Sequence, residues 1–161
     1  MGNVVFVMSP ESSGSRGTTQ FLIDHGYWGT SEHIQPLDEF VLGIKKLEDI
    51  VPEGTDRIVF RRSIPHAKQF PDLYQIDTLF LNAGCRTKWL IVLRDLSDAI
   101  RSKILRGHVV DNNQAMFNAM FEYQWMLDKA LNKTSGVHFF PFSYLKYPDR
   151  AEEYLATLGI L

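Results

Sequence analysis

The chain has 161 residues, a formal charge of −2 from 17 Lys+Arg against 19 Asp+Glu, and 45% hydrophobic residues. That length fits one domain able to bury roughly two-thirds of its unfolded surface without a staple, and its single cysteine, Cys85, excludes an internal disulfide framework or a cysteine-based zinc site. The near-neutral charge gives no general drive toward nucleic acid, the longest apolar runs fall far short of a membrane span, and the N-terminus lacks a basic segment followed by a long apolar one, so the expectation is a soluble cytoplasmic protein with neither nucleic acid nor membrane as partner.

In chain order, strands and helices alternate. Val4 to Met8 is a short apolar run with β-branched residues, the pattern of a strand buried on both faces. It breaks at Ser9-Pro10 into a loop of small residues. Phe21, Leu22 and His25 recur at helical spacing, and Gly26 supplies a stop. A second helix is predicted over 38–50, with Phe40, Val41, Ile44, Leu47 and Val51 on one face. Arg57 to Phe60 reads as a strand, and one helix is expected near 72–83. Trp89 to Leu93 is the next buried strand. A helix follows over about 96–106, with Asp95 and Asp98 at N-cap and N3 spacing. A longer helix fits 112–132, its Phe117, Met120, Phe121, Gln124, Leu127 and Leu131 forming one stripe that reads as core packing. Val137 to Phe142 is a last strand, and a helix over 149–158 ends at Gly159. This alternation predicts an α/β fold: a three-layer parallel sheet with helices on both faces, in one domain spanning 1–161.

Two strand–loop–helix junctions carry the candidate chemistry. The first loop is Ser9-Pro10-Glu11-Ser12-Ser13-Gly14-Ser15-Arg16-Gly17. A helix that starts after such a loop offers unpaired N–H groups and the positive end of its dipole to an anion. Gly14 permits close approach, Ser12, Ser13 and Ser15 offer hydroxyls, and Arg16 offers a fixed positive fork. The G-x-x-x-x-G-K-[ST] nucleotide loop is absent. The same residues also suit an ordinary strand-to-helix turn with a serine cap. In the second junction Arg94 and Asp95 end the strand and Ser102 follows eight residues after Arg94, about two helical turns on. Both side chains suit one phosphate at the C-terminal edge of the sheet. Pairing of Arg94 with Asp95 or Asp98, and Asp95 as a magnesium ligand, are the competing readings.

Together the two loops resemble the PAPS-dependent sulfotransferase family, which has a P-loop-like fold and uses 3′-phosphoadenosine-5′-phosphosulfate (PAPS). Ser12-Ser13-Gly14-Ser15-Arg16 fits the frame of the family's first loop, and Arg94-Asp95-Leu96 with Ser102 keeps the spacing of its second. The C-terminal stretch has the family's outline, with Phe142, Leu145, Leu158 and Gly159 in matching places. The resemblance implies a sulfuryl transferase in which Ser12, Ser13, Gly14, Ser15, Arg16 and Gly17 hold the 5′-phosphosulfate while Arg94 and Ser102 hold the 3′-phosphate, with no metal. Where the family has a Lys or Arg that helps the leaving phosphate depart, this chain has Ser12, which leaves Arg16, one turn on, to supply charge. Leu96 stands where the family has Pro, and no Lys/Arg-Gly closing loop follows LGIL. The alternatives are a kinase-like phosphotransferase using ATP and magnesium through Ser15, Thr18 and Asp95, and a non-catalytic nucleotide-binding protein of the same fold.

On the acceptor side, the strand RIVFRRSIPH ends at the same sheet edge. His66 is the candidate catalytic base, with a solvated turn residue as its plainer reading. Arg61 and Arg62 are adjacent on a strand, so only one of them faces the site. Glu11 suits either a base or a cap of backbone N–H groups. The acceptor, a hydroxyl or an amine, is not legible.

Overall fold

The computed structural model describes residues 2–66, 68–133 and 135–161. Four parallel strands form one sheet: β1 (Asn3–Pro10), β2 (Arg57–Ile64), β3 (Arg86–Leu93) and β4 (Val137–Pro141), in the order β2-β1-β3-β4. The helices are α1 (Ser15–Asp24), α2 (Asp38–Val41), α3 (Leu73–Asn82), α4 (Leu96–Leu105), α5 (Asn112–Leu131) and α6 (Pro148–Thr157), with 3₁₀ turns at Leu47–Asp49 and Phe142–Lys146.

Strand alternation sorts the core into two layers. Val4, Phe6 and Met8 of β1 pack with Phe60, Trp89, Ile91, Phe80 of α3 and Met126 of α5. Val5 and Val7 point the other way, toward Leu22 of α1, Phe140 of β4 and Leu155 of α6. Burial of both faces explains why the strands read as near-continuous apolar runs. Strand β1 leads through α1 to β2 on one side, whereas β3 leads through α4 and α5 to β4 on the other. The chain thus diverges between neighbours β1 and β3, and a crevice opens at their C-terminal ends, where open α/β sheets bind ligands.

Most predicted elements appear, with extended bounds. Strand β1 runs on through Ser9 and Pro10 rather than breaking there, and β2 runs on from Phe60 to Ile64. Two expectations fail. The helix predicted over 38–50 stops after Val41: Gly43 turns left-handed (φ 71°), and the N–H groups of Ile44 and Lys45 both bond back to the Glu39 carbonyl. A side chain at that φ is disfavoured, so glycine sets the break. The stripe of α5 also faces the wrong way. Phe117 is 66% exposed and Leu131 84%, while the face toward the protein carries Ala115, Ala119, Glu122, Met126 and Ala130. Small alanines let the helix lie close to its neighbours, so the larger apolar side chains point outward. Among the described residues, no helix is long and apolar enough to cross a membrane.

Candidate functional site

The first loop leaves β1 through a turn in which Ser13 N–H bonds to the Pro10 carbonyl at 3.1 Å. Ser12 sits at φ 66°, an uncommon conformation for a residue with a Cβ and one that stores local strain. Gly14 follows at φ 99° and is the N-cap of α1. A Cβ on Gly14 would lie 2.3 Å from the Phe142 ring, so the ring of the 3₁₀ turn requires glycine here. No side chain caps α1 and no acidic residue stands in its first turn. Its N-terminal N–H groups and its dipole are left to whatever enters the crevice.

A cleft of about 800 Å³ opens over this helix end, and Ser12, Gly14, Ser15, Arg16 and Gly17 all line it. Arg61 reaches it from β2. Its side chain donates to Ser15 Oγ at 3.4 Å and to the Glu32 carbonyl at 2.9 Å, and only 8% of the residue is exposed. Among the described residues its Nε has no hydrogen-bond partner, nor does the buried Oγ of Ser12. Burial, then the charges of Arg16 and Arg62, push the Arg61 pKa down. A guanidinium stays protonated regardless, so three positive charges stand close together at this side of the cleft. Arg62 points to the opposite face, stacks over Phe60 and pairs with Asp38, as strand alternation requires.

Arg94 also lines the cleft, as does Arg106. Arg94 pairs with neither Asp95 nor Asp98 in the described contacts: its Nη1 donates to the Ser12 carbonyl at 3.0 Å, and its guanidinium lies over Phe142. Tyr123 of α5 ties the two loops together. Its hydroxyl donates to the Arg94 carbonyl at 2.8 Å, accepts from the Arg94 N–H at 3.0 Å, and stands 3.4 Å from Ser13 Oγ.

The second junction differs. Asp95 caps α4, its Oδ1 accepting from the N–H groups of Ser97 and Asp98 and from Ser97 Oγ. Those bonds, the Ser97 hydroxyl first, hold its carboxyl below the usual range. Asp95 is thereby turned onto its own helix rather than toward a metal in the cleft. Ser102 is half-buried on α4 and is not among the residues lining the cleft.

His66 lies just past β2, its ring 4.8 Å from that of His33. His33 lines the cleft and His66 does not. Burial first, then Arg62 and His33, hold the His66 imidazole below its ordinary range. Arg16 lines the cleft from the exposed side, 3.3 Å from Glu32.

Sequence reasoning missed the best-buried charge. Lys103 of α4 is fully buried and donates to Glu122 at 2.8 and 2.9 Å and to Glu11 at 3.0 Å. Burial raises the pKa of Glu122, and Lys103 opposes that rise. Cys85 is buried and its thiol is pushed up by that burial, away from reactivity.

Compared with protein-family models and with curated proteins, the sequence matches none.

Proposed function

We propose that the chain is a sulfuryl transferase of the sulfotransferase type, with a P-loop-like fold, moving the sulfuryl group of PAPS to a hydroxyl or amine acceptor. The observation that carries this reading is the uncapped N-terminus of α1 beside Arg61, whose Nε, with Ser12 Oγ, is buried without a partner. A buried donor without a partner calls for an explanation, and an oxygen-rich anion in the adjoining cleft would supply one. Arg16, Arg61, Arg94 and Arg106 surround one cleft, which suits a donor carrying anionic groups at two positions. Ser12, Gly14, Ser15, Arg16 and Gly17 form the cradle for its 5′ end, while Ser13, fully buried and turned to Tyr123, drops out of the expected set, and Arg94 serves the 3′-phosphate without help from Ser102.

The fit also bears on the missing loop cation. Arg61 arrives from the adjacent strand and touches Ser15, so it supplies positive charge where the loop itself has Ser12. PAPS, when bound, provides an activated sulfuryl group; the chain holds it, neutralises the leaving phosphate and keeps the acceptor face open.

The test is a thermal-shift comparison of PAPS, adenosine 3′,5′-bisphosphate, AMP, and ATP with magnesium. The natural chain, Arg61→Ala and Arg94→Ala are compared. Stabilisation of about 2.7 kcal/mol is expected at a hundredfold excess of either 3′-phosphorylated ligand over its dissociation constant. Arg94→Ala is expected to remove the preference for the 3′-phosphate, and Arg61→Ala to weaken every nucleotide. Stabilisation by ATP with magnesium alone would sink the reading.

A further inference from the structure

The apolar stripe of α5 is left uncovered by the rest of the chain. Met116, Phe117, Met120, Phe121, Leu127 and Leu131 are all exposed, from 39% at Leu127 to 84% at Leu131. At about 100° per residue they share one arc of the helix, about 140° wide, opposite the buried face of Ala115, Ala119, Met126 and Ala130. Phe70 widens the arc on one side, meeting Phe121 edge to face at 5.4 Å. With about 200 Å² for a full side chain of this size, the six residues leave about 650 Å² open. The largest apolar patch on a typical monomer is about 300–600 Å², and each partner in a standard complex gives up about 800 Å². The stripe, together with Phe70 and the polar residues at its rim, comes close to that area.

The pattern within the stripe indicates what covers it. Asn113, Phe117, Met120, Gln124, Leu127 and Leu131 follow one another at spacings of 4, 3, 4, 3 and 4 residues, the alternation by which one helix keeps facing another. Gln124 is exposed at the middle of the seam, seven residues from Phe117 and seven from Leu131. An amide covered by an apolar partner would lose its hydrogen bonds to water without replacement. A two-fold axis at Gln124 provides the replacement, because each amide both donates to and accepts from its own copy. The same axis sets Phe117 against the partner's Leu131.

Charge decides the direction. Asp128 is the one charged residue on the arc among the described residues. Parallel helices would place it beside the partner's Asp128. Antiparallel helices hold the two carboxylates about 12 Å apart along the axis, four residues either side of Gln124, which exceeds the Debye length at physiological salt. They also oppose the helix dipoles favourably. A lipid surface fits worse: a helix lying on a membrane is rich in Lys and Arg on its polar face, whereas α5 has Lys129 alone, placed over the Trp125 ring at 5.5 Å.

We propose that the exposed face of α5 is a homodimer interface, on which a second copy of this chain packs its own α5 antiparallel about a two-fold axis at Gln124. The interface does not depend on what the cleft binds.

The experiment is sedimentation equilibrium on the full chain, with melting curves across a range of protein concentration. The natural chain is expected to reach twice the chain mass with a micromolar or tighter dissociation constant, and its melting midpoint to rise with concentration. Phe117→Glu is expected to raise that constant about thirtyfold or more while the far-UV circular dichroism stays unchanged. Gln124→Glu and Gln124→Lys are each expected to weaken self-association alone, and their mixture to restore a dimer holding one of each. Three outcomes would overturn the proposal. One is a natural chain still monomeric at about 0.1 mM. Another is a dimer indifferent to both Phe117→Glu and Gln124→Glu, which would place the contact on a different face. The third is a monomer that floats with phosphatidylcholine–phosphatidylserine vesicles, which would give the face to lipid.

Discussion

The two strand-to-helix junctions at the mouth of the sheet look alike in sequence, and they end up chemically opposite. At β1–α1 the N-cap is Gly14, no side chain answers the helix, and no acid stands in the first turn. At β3–α4 the N-cap is Asp95, which satisfies two N–H groups of its own helix, with Asp98 close behind. A helix start attracts an anion only while its donors are unanswered. The first junction is therefore open to a ligand, and the second contributes a neighbouring arginine, Arg94, instead of its own N-terminus. Lys103 joins the two, because it sits on the helix of the closed junction and holds Glu11 of the open one.

The substitution with the largest expected effect cuts that link. Lys103→Met leaves Glu11 and Glu122 facing one another without a cation, and denaturant unfolding is expected to show a loss of about 3–5 kcal/mol. Adding Glu122→Gln to that variant should recover part of it; no recovery would mean the cluster is not coupled. Gly14→Ala comes next. Its Cβ meets the Phe142 ring and its φ is unsuited to a side chain, so a loss of about 2–4 kcal/mol is expected, together with loss of the nucleotide response. Asp95→Ala uncaps α4 and is expected to lower the denaturation midpoint modestly without altering the slope. Ser15→Asp tests the opposite change by closing the open junction: the new carboxylate answers α1 and pairs with Arg61. Stability is expected to hold while the thermal shift with adenosine 3′,5′-bisphosphate disappears. A retained shift would mean that the two junctions do not differ as described.

The smallest effect is a pH dependence remote from the site. His25 is held above its ordinary range by the Phe21 carbonyl, then by Glu152. Its folded-state proton is bound more tightly than in the unfolded chain, so this stability is full below the unfolded pKa and is lost as pH rises through the folded one. His66, held low, contributes the reverse: stability present above its unfolded pKa and lost as pH falls through the folded one. Glu152→Gln should flatten the first slope and leave the second, as read from melting curves across the neutral range.

What the sequence made legible follows from how local each signal is. The central strands announced themselves as β-branched and apolar runs, and the Asp95–Asp98 cap was readable because capping acts over three residues. The strand-to-helix turn of the first loop was readable from Gly14 and its serines, but not whether a serine would cap the helix; none does. The bounds of α5 were readable too, but not its orientation, since the reading gave the inner face to Phe and Leu while the packing gave it to alanine. The predicted helix at 38–50 failed on Gly43, a single backbone conformation. The charge cluster was invisible because Glu11 lies 92 residues from Lys103 and Tyr123 lies 110 from Ser13. Only the sheet order brings them together.

The edges of the sheet have a consequence for how molecules meet in concentrated solution. Along β2, Trp28 runs parallel to Ile58 and takes up both the Arg57 carbonyl and the Val59 N–H, each at 2.9 Å. Gly29 lets it approach so closely that a Cβ there would sit 2.4 Å from the Val59 carbonyl oxygen. At the far edge β4 is five residues long and ends on Pro141, which has no N–H to offer. A foreign strand seeking a template finds one border partly taken and the other too short to seed a ribbon. Fibril-like growth by strand addition is thereby discouraged at both borders.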